Sequence, residues 1–120
     1  MRALFDSNIL IDYLNGVAAA RSELARYERP AISMITWIEV LVGAAGKADA
    51  ATRGFLAGFE RLEVTEAIAE LAVAIRRESG LRIPDAIILA TARSENLLLV
   101  TRNSRDFPAE HPGIRIPYRI

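Results

Sequence analysis

Short apolar runs alternate with helix-periodic stretches along the whole chain, and most of the apolar runs stop at a small polar or acidic residue. Arg2 to Phe5 is such a run ending at Asp6, followed by Ser7 to Leu14 with Ile9, Leu10, Tyr13 and Leu14 at helical spacing. Asn15-Gly16 then punctuates, and Ala18 to Tyr27 reads as a second helix running towards Pro30. Ala31 to Ile35 is the second strand, and Thr36 opens a helix through Ile38, Val40, Leu41 and Val42 that the Gly43 to Gly46 stretch ends. Asp49 to Phe59 is helical, Leu62 to Val64 is a third strand, and Glu66 to Glu78 sets Ile68, Leu71, Ala72 and Ile75 on one face before Gly80 closes it. Pro84 suits the first turn of a helix continuing from Asp85 to Glu95, Asn96 breaks it, and Leu97 to Thr101 and Ile114 to Tyr118 are the last strands.

This alternation predicts an α/β fold, a three-layer sandwich with a mostly parallel central sheet. The amphipathic stretches Ala48 to Phe59 and Glu66 to Ile75 would cover that sheet, and Trp37 reads as core packing. At 120 residues the chain is expected to form a single domain over 1–120. Ligands of such sheets bind outside the carboxyl ends of the strands, near the point where strand order reverses. Polar residues directly after strands are therefore the candidates for chemistry.

Composition narrows that chemistry. There is no cysteine and one histidine, His111, which excludes disulfide scaffolds, cysteine zinc sites and thiol nucleophiles and leaves oxygen ligands. No apolar stretch approaches the length of a bilayer span, and the start MRALFD lacks a signal-peptide pattern, so no membrane association is expected and a cytoplasmic location is. Fifteen basic residues balance fifteen acidic ones, but eight of the basic and only five of the acidic residues lie from Arg76 onwards. Fourteen of the fifteen cations are arginine, whose planar fork suits phosphate, although genome composition also enriches it.

Four acidic features fall at strand ends under this topology. Asp6 follows the first strand, where it can equally cap the next helix. Glu39 lies in Thr36-Trp37-Ile38-Glu39, which fits a capping box with Thr36 as cap, yet its apolar neighbours demand a donor or cation for its carboxylate. Asp85 sits in a first helical turn, and Asn103 to Asp106 follow the fourth strand with turn-forming side chains. Capping alone would not require these to converge. Two carboxylates about 4 Å apart repel by roughly 4 kcal/mol at an effective dielectric near 20, so a cluster calls for a cation or shared protons. All-oxygen ligands favour Mg²⁺ or Mn²⁺ and point to phosphodiester chemistry.

The segments Phe5-Asp6-Ser7-Asn8-Ile9-Leu10-Ile11-Asp12, Ile35 to Gly43, Pro84 to Ala92 and Thr101 to Phe107 together resemble the PIN-domain ribonucleases. More narrowly they are similar to the VapC-type toxins of bacterial toxin-antitoxin pairs, in the same order over essentially the whole chain. The resemblance implies a PIN-like fold and a Mg²⁺- or Mn²⁺-dependent endoribonuclease acting on an RNA substrate. It also implies a homodimer and a cognate VapB-type antitoxin that inserts a segment into the acidic groove.

Carried over by position, the resemblance makes Asp6, Glu39 and Asp85 the metal ligands and adds Asn103 and Asp106 to the catalytic set. Many PIN domains place Asp where Asn103 stands here, which argues for one well-held ion. By the same token Asp6 and Asp85 would hold the ion, and Glu39 would hold it or accept a proton from the attacking water, leaving a 5′-phosphate and a 3′-hydroxyl. Ser7, Asn8 and Thr101 would orient ligands or waters. With Asp6, Glu39, Asp85 and Asp106 set aside, eleven acids face fifteen bases, and Arg82, Arg93, Arg102 and Arg105 become candidates for phosphate contacts. The alternative is a catalytically degenerate PIN domain serving as an RNA-binding or protein-interaction scaffold. A receiver domain would need a lysine near a late strand, and Lys47 is misplaced; a haloacid-dehalogenase-like phosphatase would need Asp where Asn8 stands; no dinucleotide or P-loop glycine motif is present.

Overall fold

The computed structural model describes residues 2–119. Five short strands, β1 (Ala3–Phe5), β2 (Ala31–Ser33), β3 (Glu60–Leu62), β4 (Leu98–Val100) and β5 (Ile114–Arg115), form one sheet in the order β3-β2-β1-β4-β5, all pairings parallel. Six helices cover it: α1 (Ser7–Leu14), α2 (Ala18–Leu24), α3 (Met34–Val42), α4 (Asp49–Leu56), α5 (Glu66–Ser79) and α6 (Ile83–Ser94). The chain runs outward from β1 through β2 to β3, then crosses back to β4 on the other side of β1. The strand order thus reverses between β1 and β4.

The three layers follow from side-chain alternation along strands buried on both faces. Leu4, Ala31 and Leu99 point into a core shared with Ile68, Ile75 and Ile88 of α5 and α6. Their neighbours Ala3, Phe5, Ile32 and Val100 point the other way, onto Ile9, Leu10, Val40 and Leu56 of α1, α3 and α4. The three-layer α/β sandwich expected from the sequence is therefore present. None of the helices among the described residues is long and apolar enough to cross a membrane.

Most boundaries lie within a residue or two of expectation. Gly80 ends α5 at φ +76° and Asn96 follows α6 at φ +57°, so both predicted breaks are left-handed turns. Three elements end three residues early, α2 at Leu24, α4 at Leu56 and β5 at Arg115, after which Tyr118 bonds Asp12, and two more are displaced at their starts. The third strand is Glu60–Leu62, two residues before the predicted run, on a sheet edge where charged side chains are tolerated. Helix α3 starts at Met34, capped by Ser33 whose hydroxyl accepts from the Ile35 N–H at 3.2 Å, so Thr36 is not the cap and lies buried inside the helix. Ser33 reaches the free N–H groups first because β2 ends there.

The C-terminal segment is tied to the first two helices by two partly buried ion pairs. Arg115 of β5 donates to both oxygens of Glu23 on α2, at 2.6 and 3.0 Å, and Tyr27 adds a third bond at 3.1 Å. Arg102 likewise grips both oxygens of Asp12 on α1, at 2.7 and 3.2 Å, with the Tyr118 hydroxyl donating at 2.9 Å. Burial pushes the Glu23 carboxyl up, but the Arg115 bonds and charge outweigh it and hold the group below its ordinary value. A carboxyl lowered in this way stabilises the fold above its unfolded value near 4.5, and that contribution is lost as the pH falls through the lower, folded value. Arg115→Met is expected to cost about 2–3 kcal/mol in urea unfolding at pH 7, because it strands a buried carboxylate. The deficit relative to the unchanged protein should shrink as the pH is lowered below 4.5.

Candidate active site

Strand β1 ends at Phe5, and the Asp6 N–H still bonds Val100 O of β4 at 2.9 Å, so Asp6 emerges at the carboxyl edge of the sheet at the reversal of strand order. Its carboxylate is almost fully buried, at 4% exposure, and is held on several sides. Oδ1 accepts from the Ser7 N–H at 2.7 Å, which is also the cap of α1. Oδ2 accepts from the Thr101 hydroxyl at 2.8 Å and from Asn8 Nδ2 at 3.4 Å. The capping role that the sequence posed for Asp6 is thus present, and its carboxylate is at the same time held at the sheet edge by Thr101 and Asn8.

Asn8 acts as a crosspiece between the two switch-point strands. Its amide also donates to Thr101 Oγ1 at 3.2 Å, and its Oδ1 accepts from the Arg102 N–H at 3.1 Å. Thr101 is wholly buried and takes a further bond from the Asn103 N–H at 3.1 Å. Ser7, Asn8 and Thr101, expected to orient ligands or waters, all bond the Asp6 carboxylate, and Asn8 and Thr101 join it to the loop after β4.

Glu39 projects from α3 and Asp85 from the first turn of α6. Burial raises the Asp6 carboxyl above its ordinary value; bonds from Thr101 and Ser7 oppose this, and the charge of Asp85 adds to it. Glu39 is raised first by burial, then by the charges of Asp6 and Asp85, with partial relief from the Ser7 hydroxyl and Arg82. Asp85 itself is buried at 6% exposure and accepts from Arg82 Nε at 3.3 Å, although the Arg82 side chain is largely in solvent. Three carboxylates from three separate elements therefore share one electrostatic recess. Two buried side-chain oxygens here have no hydrogen-bond partner among the described residues, Glu39 Oε1 and Thr36 Oγ1, three residues apart on α3.

The recess has the donor chemistry for a hard cation. Among the described residues no group of three or more acidic or histidine side chains is placed to hold a metal ion by itself. Mg²⁺ needs none, because it keeps several waters and takes one or two carboxylates plus phosphate oxygens. Unpartnered Glu39 Oε1, with two further carboxylates repelling it, is the arrangement such an ion would relieve.

The remaining predicted residues stand at one remove. Asn103 and Asp106 bond each other in a turn: Asn103 Nδ2 donates to Asp106 Oδ2 at 3.0 Å, and the Asp106 N–H donates to Asn103 Oδ1 at 3.2 Å. Both functional ends of the Asn103 amide are thus engaged, and Asp106 is drawn into the turn. Arg102 is a correction to the set of phosphate contacts, since its guanidinium is clamped by Asp12 and Tyr118. Asp12 and Tyr118 were not singled out from the sequence. The available signal was an acid on the buried side of α1 beside Ile9 and Leu10. Trp37 is half-buried and packs on the α1–α4 core, with the guanidinium carbons of Arg53 and Arg61 at 5.4 and 4.9 Å from its ring centre.

Comparison with known proteins gives a consistent picture. The PIN domain family model matches residues 3–109. The curated protein Ribonuclease VapC10 of Mycobacterium tuberculosis is 35% identical over 113 residues, covering 88% of this chain and 85% of that protein. A chain of a toxin-antitoxin complex from Klebsiella pneumoniae superposes with TM-score 0.93 at 48% identity, covering 98% of this chain and 99% of that one. A chain of the DNA-bound VapBC structure from Salmonella typhimurium gives TM-score 0.79 at 28% identity, covering 96% of each.

The raised Asp6 and Glu39 carboxyls also carry a stability consequence. A carboxyl whose folded value is raised favours the folded state at low pH and disfavours it as pH rises through that value. Glu39→Gln is therefore expected to melt a few degrees higher than the unchanged protein at pH 7.5 in EDTA. The gap should close as the pH approaches 4.5 or when millimolar Mg²⁺ is added, as followed by thermal melts.

Proposed function

The chain belongs to the PIN-domain family, and from that premise we propose that it is the ribonuclease toxin of a toxin-antitoxin pair, cutting RNA phosphodiesters with the help of a divalent cation. The observation that carries this reading is the shared recess of Asp6, Glu39 and Asp85 at the carboxyl edge of the sheet, with Glu39 Oε1 unpartnered. Mg²⁺ or Mn²⁺, when bound, would supply positive charge against the phosphate and acidify a water.

Each residue has a distinct part in this scheme. Asp6 and Asp85 hold the cation, and Ser7, Asn8 and Thr101 fix the Asp6 carboxylate so that it does not swing away from it. Glu39 takes the proton from the attacking water at its unpartnered oxygen, a role that a raised carboxyl suits better than an ordinary one. The new bond forms between water oxygen and phosphorus, the bond from phosphorus to the 3′ oxygen breaks, the 3′ oxygen takes a proton from solvent water, and the products are a 5′-phosphate and a 3′-hydroxyl. Because Asp106 is bound into the Asn103 turn, it adds no fourth carboxylate to the recess, which supports a single well-held ion.

The partners follow the same reading. A VapB-type antitoxin would silence the enzyme by covering the recess, and exposed Ile11, Leu14, Ile38 and Val42 on α1 and α3 supply apolar surface that such a partner could bury. Val64, Val73 and Ile83 form a separate exposed apolar set available to a second copy of the chain.

Purified protein freed of antitoxin and incubated with total RNA is expected to cleave with Mg²⁺ and to stop when EDTA is added. Asp6→Asn and Asp85→Asn should each lower the rate by about a hundredfold or more, and Glu39→Gln by a similar factor, with melting curves that remain cooperative. Full cation-dependent cleavage by the Asp6→Asn and Asp85→Asn proteins would overturn the assignment.

A further inference from the structure

A cavity of about 710 Å³ opens beside the acidic recess, and Arg82, which bonds Asp85, stands in its wall. Its wall carries three arginines, Arg82, Arg93 and Arg105, against one carboxylate, Asp106, which is already bonded to Asn103. Arg93 and Arg105 are exposed, and among the described residues neither has a carboxylate partner. Most other arginines here are spent: Arg102 and Arg115 hold buried acids, and Arg2, Arg26, Arg29 and Arg53 pair with surface or nearby carboxylates. Two unpaired guanidinium groups at one mouth form a local positive field in a chain whose formal net charge is zero.

The interior of the cavity is of another kind. Leu81, Leu89, Phe107 and Ile114 give it an apolar floor, and His111, the chain's one histidine, lies half-buried in the wall. His111 is locked in place: its N–H bonds Pro108 O, its O accepts from Ile114, and its Nδ1 accepts from the Gly113 N–H at 3.1 Å. With Nδ1 occupied as an acceptor, Nε2 is the nitrogen left to donate. Cationic forks at a mouth, a flat ring and an apolar floor match the phosphate and the splayed base of single-stranded RNA, which proteins hold by stacking and edge hydrogen bonds.

We propose that this cavity is a subsite for one nucleotide of single-stranded RNA next to the cut linkage, with Arg93 and Arg105 on its phosphates and His111 against its base. The inference rests on the ribonuclease reading above and adds to it where the strand leaves the acidic recess. An acidic peptide would also answer the arginines, but it would leave the apolar floor and the His111 ring without a partner, and RNA uses both.

The test is fluorescence anisotropy with a labelled 12-nucleotide single-stranded RNA in EDTA, where no cation-dependent cutting occurs, repeated over a range of NaCl concentrations. Replacing two phosphate-contacting arginines (Arg93→Gln with Arg105→Gln) should weaken binding roughly tenfold near 0.1 M salt and reduce the log–log salt slope by about 1.4. His111→Ala should weaken it a few-fold further, while His111→Phe, which keeps a flat ring, should restore most of the loss. Thermal melts of every variant verify folding. If the unchanged protein cleaves RNA with Mg²⁺ yet the double arginine variant binds with the same slope, the subsite is wrong and the ribonuclease reading stands. If an oligoglutamate peptide displaces the RNA at equal charge as well as unlabelled RNA does, the cavity is an acidic-peptide site instead. If the unchanged protein neither binds nor cleaves RNA, the ribonuclease reading falls and takes the subsite with it.

Discussion

Burial of the Asp6 and Glu39 carboxyls within reach of the Asp85 charge is the constraint that the rest of the site has to meet. Left to themselves, three neighbouring carboxylates would separate or take up protons. They are kept together because each is rooted in a different rigid element: Asp6 at the end of a fully buried central strand, Glu39 on α3, Asp85 in the first turn of α6. Hydrogen bonds from Ser7, Asn8 and Thr101 offset part of the cost at Asp6, while Glu39 Oε1 has none. The unmet cost therefore sits on Glu39, the residue to which the proposed reading gives the proton transfer.

That deficit is tolerable because the frame around it is well satisfied elsewhere. The same acid chemistry that is unresolved in the recess is fully resolved at Asp12 and Glu23, each gripped through both oxygens by an arginine and by a tyrosine hydroxyl. Both pairs link the C-terminal third of the chain to its first two helices. Arg102 is adjacent to Thr101, so the Asp12 clamp also holds the loop whose hydroxyl bonds Asp6. Asp12 and Glu23 are thus each closed by an arginine through both oxygens, whereas Asp6 has only uncharged donors and Asp85 a single 3.3 Å bond from the largely solvent-exposed Arg82.

Much of this was legible in the sequence because it depends on local pattern. Alternating apolar runs and helical periods specify a parallel sheet clad on both faces, and a parallel sheet puts residues that follow its strands on one edge. Asp6 and Thr101 were readable for that reason. The start of α3 was not, since Met34 and Ile35 are as apolar as the strand before them and both Ser33 and Thr36 can cap. The choice fell to the end of the β2 pairing, which releases the chain at Ser33. Starting the helix there buries Thr36 inside it and removes the capping-box account of Glu39, which strengthens the case that its carboxylate is there for chemistry.

What could not be read was which arginines are free. Arg102 and Arg105 lie three positions apart in the same polar loop, with nothing local to distinguish them. Arg102 is consumed by an acid 90 residues earlier and Arg105 is not, a difference that exists only once α1 has packed beside β4. The same holds for total charge: a formal sum of zero conceals a molecule in which cations paired with buried acids contribute structure and the unpaired ones contribute field. Because Asp85 draws Arg82 to the boundary between recess and cavity, negative and positive regions meet along one edge. A polyanion approaching that edge would be repelled by the bare recess and attracted by its neighbour. On the proposed reading substrate capture and cation loading would be coupled: the arginines would hold a strand beside the carboxylates, and the strand would enter the recess once a cation had neutralised it.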